Sequence, residues 1–369
     1  MRASRCRVRL DERRDFDLNL KTSGGTWTSR PSALVHLVSK DGTTGSGELA
    51  PLPGYSPDEF DAAYQALAEL EPLEIDPPDF AKPRILLSRI EAMVPRSLPS
   101  ARFALSSAAM DWIGQQMGIP AWELLLPPTD DGKADALPLC ALLPSDDPAG
   151  AAKALIADGY GCVKYKVSAD LEQTTKDLKA ISEVLKQGGL GGGCLRLDAN
   201  QGLTAKQLGD TLKALSTFEP DMLEEPLDSE ELVAWLSAGN TSPCPLGVDE
   251  SLFGAPSMVK AWFGTHQTAA VVLKPSCLGL ARCLDIAEQA RSVGVDVTVS
   301  HCFEGAIGYT AVAAVAIAIG SRKLPSGLAP PQTVASSTKR AGAKPPFVAA
   351  GYITPWDTSG LDTEFAVRG

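Results

Sequence analysis

Five polar residues recur along the second half of the chain at a nearly constant interval, and that interval constrains the fold more than any other feature. Asp198, Glu224, Asp249, Lys274 and Ser300 are separated by 26, 25, 25 and 26 positions. Each closes a short apolar run, at 195–199, 222–225, 246–249, 270–274 and 295–300, and two further runs precede them at 137–143 and 162–167. Amphipathic stretches lie between the runs, among them 171–186, 205–217, 229–238, 280–292 and 306–319. A short apolar run followed by an amphipathic stretch, repeated in series, predicts parallel strands joined by crossover helices. Seven strands in series favour a closed barrel over an open doubly wound sheet; an eighth, near 325–330, is weakly marked. Barrel strand ends converge on the C-terminal mouth, where barrel active sites lie.

The first third has a different texture. Strand-like stretches at 3–20 and 32–50 are joined by a Gly/Ser/Thr loop at 22–29, with a turn at Asp41-Gly42. Pro51, Pro53 and Pro57 break the pattern, and helical stretches follow near 57–71 and 100–126. The expected organisation is an α+β capping domain over 1–133, a barrel over 134–330, and a C-terminal segment, 331–369, returning to the cap. The chain has 369 residues, 44% hydrophobic and 21% charged, a globular balance.

Composition also removes classes of partner. The formal charge, 34 − 45 = −11, repels phosphate backbones, so no nucleic-acid partner is expected. The longest apolar stretch, 306–320, falls short of the roughly 18 residues of a membrane span and contains Tyr309 and Thr310. The Arg-rich start lacks the apolar core of a secretory signal, and Asp11, Glu12 and Asp15 argue against a transit peptide. Eight cysteines without a CxxC pair form neither a disulfide framework nor a zinc ribbon. Cys140, Cys162 and Cys194 fall in or beside apolar runs and read as buried thiols. A reduced, cytoplasmic compartment follows. Nothing in the sequence specifies an oligomeric state.

The register carries the chemistry. A lone strand-end acid is usually solvated or caps a helix, but Asp198, Glu224 and Asp249 at one height on adjacent strands would repel without a cation among them. Oxygen ligands without His or Cys suit a hard ion, Mg2+ or Mn2+. Lys164 and Lys166, two apart on one strand, share a face, and Lys274 stands across the mouth. A lysine beside a divalent cation and other lysines has its ammonium disfavoured. The neutral amine can then take a proton α to a carboxylate, and the cation stabilises the enediolate that forms. Two other motifs carry less. The GGLGGG stretch at 188–193 lacks the GK[ST] ending of a phosphate loop and reads as a flexible connection. His301 and Cys302 are adjacent, so they point to opposite faces and do not form a thiol–imidazole pair.

In order, VKYKV at 163–167, LDAN at 197–200, LEEP at 223–226, VDES at 248–251 and LKP at 273–275 resemble the enolase superfamily in its muconate-lactonizing subgroup. GSGELAPLPGYS at 45–56 is similar to that family's GxGE(A/S)PLPGFS cap loop, and 99–125 is similar to the helix joining cap to barrel. The resemblance implies a modified TIM barrel, (β/α)7β, with an α+β capping domain. It implies Asp198, Glu224 and Asp249 as metal ligands and Lys166 as the base. Lys274 is implied as the opposing lysine, and Lys164, Asn200, Glu225 and Glu250 as residues supporting the ligands.

Within the subgroup the cap loop, LRLDAN and LKP look like the o-succinylbenzoate synthase family. That likeness implies Mg2+-dependent syn elimination of water from 2-succinyl-6-hydroxy-2,4-cyclohexadiene-1-carboxylate, giving 2-succinylbenzoate in menaquinone biosynthesis. N-acylamino acid racemisation or dipeptide epimerisation is the alternative, and muconate cycloisomerisation a weaker one. SGLAPPQ at 326–332 lacks the DxD with which dipeptide epimerases of this subgroup grip a substrate ammonium. A non-catalytic binding barrel would be expected to have broken ligands or lysines, and none is broken. Arg30, Pro53, Ser300, His301 and Gly327 are the candidate contacts to a small carboxylate substrate. Residues 22–30 are expected to form a mobile lid, and 49–56 a fixed wall.

Overall fold

A computed structural model describes residues 4–22, 25–127, 134–168, 170–190, 194–206, 208–254, 256–337 and 345–361. The N-terminal sheet contains β1 (Ser4–Leu10), β2 (Arg14–Thr22), β3 (Gly25–Ser39), β4 (Thr44–Leu49) and β5 (Leu73–Ile75), in the order β2-β3-β1-β5 with β4 also on β3. All its pairings are antiparallel. The stretch expected as one strand over 3–20 is two, because the chain turns at 11–13. The stretch expected as a loop over 22–29 is the end of a hairpin: Trp27 pairs with Leu20, Ser29 with Asp17 and Arg30 with Phe16. Trp27 and the β-branched threonines around it suit a pleated strand better than their Gly and Ser neighbours suggest. Residues 23–24, in that loop, and 191–193, in the glycine-rich stretch, lie outside the described residues.

Helix Pro99–Met117 is buried at every position from Pro99 to Gly114 apart from Arg102. Strand β4 lies directly on it. A β-carbon at Gly45 would sit 2.2 Å from the Ala108 carbonyl oxygen, and one at Gly47 2.1 Å from that of Ala104. Only glycine permits this approach. The next residue, Glu48, reaches the first turn of helix Ala306–Ile319, accepting from Gly305 N at 2.9 Å and Gly308 N at 2.8 Å. A carboxylate at a helix N-terminus satisfies donors that have no partner inside the helix. The GSGE sequence thus clamps the N-terminal sheet to both helices.

After β6 (Leu137–Pro138) come seven parallel strands: β7 (Cys140–Leu142), β8 (Cys162–Lys166), β9 (Leu195–Asp198), β10 (Met222–Glu224), β11 (Leu246–Val248), β12 (Thr268–Leu273) and β13 (Asp296–Val299). They pair in strict sequence order. Single bridges Leu139↔Ser326 and Ser300↔Gly327 close the ring. The eighth position is reduced to these bridges, and Pro325, Pro330 and Pro331, which carry no N–H, explain why no longer ladder forms. Helices Leu171–Gln187, Leu208–Ser216, Ser229–Ser237, Leu280–Ser292 and Ala306–Ile319 fall where the sequence periodicity puts them. The architecture is an α/β modified TIM barrel of the enolase type.

The chain then turns back. Strands β14 (Val348–Ala349) and β15 (Tyr352–Ile353) extend from β6. Gly360 and Leu361 dock on the end of helix Pro99–Met117, with Leu361 N donating to Asp111 Oδ1 at 2.9 Å. All eight cysteines are free thiols, buried except for half-buried Cys194. Among the described residues no helix is long and apolar enough to cross a membrane.

Candidate active site

Parallel pairing in register sets the height of the strand-end side chains. Lys166 is opposite Asp198, and Asp198 opposite Glu224; Asp249 follows directly after β11. The three carboxylates are buried, at 2%, 1% and 0% exposure. Lys164 Nζ bridges two of them, 3.1 Å from Asp198 Oδ2 and 3.0 Å from Glu224 Oε2. Lys274 Nζ donates to Asp249 Oδ2 at 2.5 Å. Lys166 Nζ donates to Asn200 Oδ1 at 2.7 Å and stands 4.0 Å from Asp198 Oδ2. Four strand steps separate β8 from β12 in an eight-position ring, so Lys166 and Lys274 stand on opposite sides.

The lysines are electrically unequal. Burial lowers the Lys166 ammonium, and Lys164 and Lys274 add to that against the opposing pull of Asp198. Burial acts on Lys164 and Lys274 as well, but Glu224 and Asp198 outweigh it at the first and Asp249 at the second, so both are held above the ordinary lysine value. Burial pushes the Asp249 carboxyl up to about 6, with Lys274 opposing.

The carboxylates rest on a second layer. Glu225 Oε1 accepts from Asp249 N at 2.7 Å and Ser251 N at 3.1 Å, while Oε2 accepts from Ser251 Oγ at 2.6 Å and Gln201 Nε2 at 3.0 Å. Glu250 accepts from Asn200 Nδ2 at 3.4 Å. Beneath them the buried Arg196 pairs with Asp221 at 2.7 Å and lies 3.8 Å from Glu224 Oε1. Asn200, Gln201, Glu225 and Phe303 all have positive φ, at 42°, 59°, 43° and 59°. Such conformations carry strain and gather at functional sites.

Whether these residues suit a divalent cation can be tested on their atoms. Asp249 Oδ1 is buried with no hydrogen-bond partner, and the donor set is all oxygen. Those features fit a hard cation. Among the described residues no three His, Cys, Asp or Glu side chains are gathered to hold an ion as they stand. The Lys164 and Lys274 ammonium groups face Asp198 Oδ2, Glu224 Oε2 and Asp249 Oδ2, and Asp249 Oδ1 is left without a partner.

A cavity of about 720 Å³ opens above the carboxylates. Its walls include Leu20 and Trp27 of the hairpin, Leu52, Gly54 and Tyr55 of the cap loop, and Ser300, His301 and Gly327 of the closing strands. A larger groove of about 1810 Å³, between cap and barrel helices, contains none of the strand-end residues and is set aside as the reaction site.

Two sequence-derived contacts need correction. Arg30 is fully buried and does not line the mouth cavity; its guanidinium donates to the Cys302 carbonyl. Its position on β3, inside the sheet rather than in a loop, turns it into the cap–barrel junction. Pro53 does not line the cavity either, and its carbonyl accepts from Trp27 Nε1 at 2.7 Å. Both nitrogens of His301 are engaged: Nε2 donates to the Ala329 carbonyl at 3.0 Å and Nδ1 accepts from Phe303 N at 3.2 Å. Burial lowers its pKa to about 4, which keeps the imidazole neutral.

Sequence reasoning missed Trp27, Glu48, Tyr55, Arg196 and Phe253. Tyr55 and Glu48 lay in a recognised motif, and Arg196 preceded Asp198 by two on the same strand face. Trp27 and Phe253 left no signal beyond being aromatic.

Comparison with known proteins agrees with this architecture. The family described as "Enolase C-terminal domain-like" matches residues 147–367. An o-succinylbenzoate synthase of Desulfotalea psychrophila is 27% identical over 320 residues, covering 79% of this chain and 84% of that protein. An N-succinyl-L-Arg/Lys racemase of Bacillus cereus is 22% identical over 314 residues, covering 82% and 80%. Among solved structures, a dipeptide epimerase from Methylococcus capsulatus, complexed with Mg and the dipeptide L-Arg-D-Lys, superposes with a TM-score of 0.77. It is 22% identical and covers 97% of this chain and 99% of that one. With its barrel closed in that manner and more than half its length matching one family, the chain belongs to the enolase C-terminal domain-like family of the enolase superfamily.

Proposed function

We propose that the protein is a Mg2+-dependent lyase of the o-succinylbenzoate synthase type, eliminating water from 2-succinyl-6-hydroxy-2,4-cyclohexadiene-1-carboxylate. The observation that carries this reading is the unequal setting of the two lysines. Both line the cavity, but Lys274 is paired with the carboxylate of Asp249, whereas Lys166 bonds to the neutral Asn200 and has a depressed ammonium. A syn elimination needs one base and one fixed positive charge.

Asp198, Glu224 and Asp249 would hold Mg2+ or Mn2+, whose charge stabilises the substrate carboxylate as its α-carbon loses a proton. Lys166 Nζ takes that proton. The hydroxyl leaves from the same face, and the Lys166 ammonium returns the proton to it. Lys274 remains an ammonium and balances charge developing on the carboxylate. The charge of Lys164 favours the ionised forms of Asp198 and Glu224, against the burial that raises Glu224; Glu225 holds the turn carrying Asp249, and Glu250 accepts from Asn200. Ser300, His301 and Gly327 form the wall opposite the cap, and a dry mouth strengthens each charge interaction inside it. The cap spans 1–133, the barrel 134–330 and the returning segment 331–369. A cytoplasmic location suits eight free thiols.

A second reading, racemisation of an N-acylamino acid, is favoured by the opposed placement of Lys166 and Lys274. The wall at 327–332 offers no carboxylate for a dipeptide's ammonium. The deciding experiment offers both substrate types with Mg2+ in deuterated water. Dehydration should have the higher kcat/KM; fast racemisation of an N-succinylamino acid without dehydration would select the second reading.

A further inference from the structure

The cap touches a barrel lysine directly. Lys274 Nζ donates to Tyr55 Oη at 2.5 Å. The same nitrogen is 5.0 Å from the Tyr55 ring centre, so the contact is made at the hydroxyl end and not over the ring face. An ammonium has three donors. Asp249 takes one, Tyr55 takes the second, and the third remains. Lys274 and Tyr55 both line the mouth cavity.

Tyr55 is itself held from two sides. On the barrel side its ring meets Phe253 edge-on at 5.7 Å and 90°, and Phe253 ends the turn Glu250–Phe253 that follows Asp249. On the cap side Tyr55 N and Ser56 N both donate to the Leu52 carbonyl, at 3.1 and 2.9 Å. The intervening Pro53 carbonyl accepts from Trp27 Nε1 at 2.7 Å. A continuous path therefore runs from the hairpin, through Trp27 and the 52–56 turn, to the Lys274 ammonium.

We propose that Tyr55 is a positioning residue: its hydroxyl oxygen fixes the Lys274 ammonium toward the reacting carboxylate, and the Trp27–Pro53 bond makes that positioning depend on the hairpin being seated. The proposal rests on the reading of Lys274 as the catalytic ammonium. It predicts that chemistry, not ground-state binding, suffers when the oxygen is removed.

Tyr55→Phe retains the ring and its contact with Phe253 while deleting the oxygen. The expected result is a fall in kcat on the order of tenfold with KM changed less than about twofold, as for loss of one hydrogen bond to a charged group. Trp27→Phe should lower kcat in the same direction, by less. The double variant should be no worse than Tyr55→Phe alone, because both act through one path. A wild-type kcat in Tyr55→Phe, a rise confined to KM, or additive losses in the double variant would overturn the proposal. A substrate-free readout separates this claim from the reaction assignment. With 15N-labelled lysine side chains, the Lys274 signal, assigned with Lys274→Arg, should shift and lose protection from solvent exchange in Tyr55→Phe. The Lys164 signal should stay. An unmoved Lys274 signal would refute the positioning role whatever the reaction is.

Discussion

Lys166 and Asn200 meet across neighbouring strand ends, with Nζ 2.7 Å from Oδ1, and this contact fixes the amine at the edge of the carboxylate cluster. Asn200 reaches it from a left-handed backbone, φ 42°, a conformation that Asn tolerates better than most residues. Asn200→Leu should therefore slow α-proton removal by about tenfold or more, because the amine loses the acceptor that aims it at the substrate. Asn200→Gly, which relieves the backbone, should fold at least as well and show the same kinetic loss. Thermal unfolding and turnover measured side by side check both.

Glu225 is the clearest case of a side chain that builds the site without facing substrate. Glu225→Leu strips acceptors from the buried N–H groups of Asp249 and Ser251, and each buried unsatisfied donor costs about 1–3 kcal/mol. Urea titration should show that loss, and calorimetry should show weakened Mg2+ binding. Glu225→Gln should be milder, since the amide oxygen can still face the two backbone donors while Gln201 flips.

How much of this could be read from the chain depends on the range of the interaction. The interval from Asp198 to Ser300 reports strand register, and register alone sets height in a barrel, so the carboxylates and lysines were legible. The closing strand was faint because Pro325, Pro330 and Pro331 leave only the bridges at Ser326 and Gly327. Arg30 was misassigned because a basic residue beside a Gly/Ser/Thr stretch looks like a lid contact, whereas strand pairing with Phe16 carries it into the junction. Tyr55 lies 219 positions from Lys274, and no local pattern announces a contact at that separation.

The hairpin should behave as a lid. Leu20 and Trp27 line the cavity from above, while the proposed ligands Asp198, Glu224 and Asp249 all sit at barrel strand ends. Trimming the hairpin tip should raise KM and lower kcat together, as gating changes do, and leave Mg2+ affinity by calorimetry unaltered. Normal turnover in the trimmed protein would assign substrate selection to the barrel alone.

His301 should make the fold acid-sensitive. Its folded-state pKa, about 4, lies below the ordinary value near 6.5, so the folded protein binds fewer protons there than the unfolded chain. The contribution is complete above about pH 6.5, declines as pH falls, and is gone below about pH 4, with a slope of at most about 1.4 kcal/mol per pH unit. The side chain is partly open to the mouth, so the measured slope should fall below that limit. The sequence has three histidines, which makes the NMR titration simple. The His301 ring should stay neutral down to about pH 5.

The central claim, cation-assisted proton removal by Lys166, is tested most directly by one rate. That rate is turnover of 2-succinyl-6-hydroxy-2,4-cyclohexadiene-1-carboxylate by the wild type and by Lys166→Ala, each with Mg2+ and after chelation. The account predicts water loss by the wild type with Mg2+, none after chelation, recovery on adding Mg2+ back, and none from Lys166→Ala under any condition. Undiminished turnover in chelator, or a Lys166→Ala variant as fast as the wild type, would contradict it.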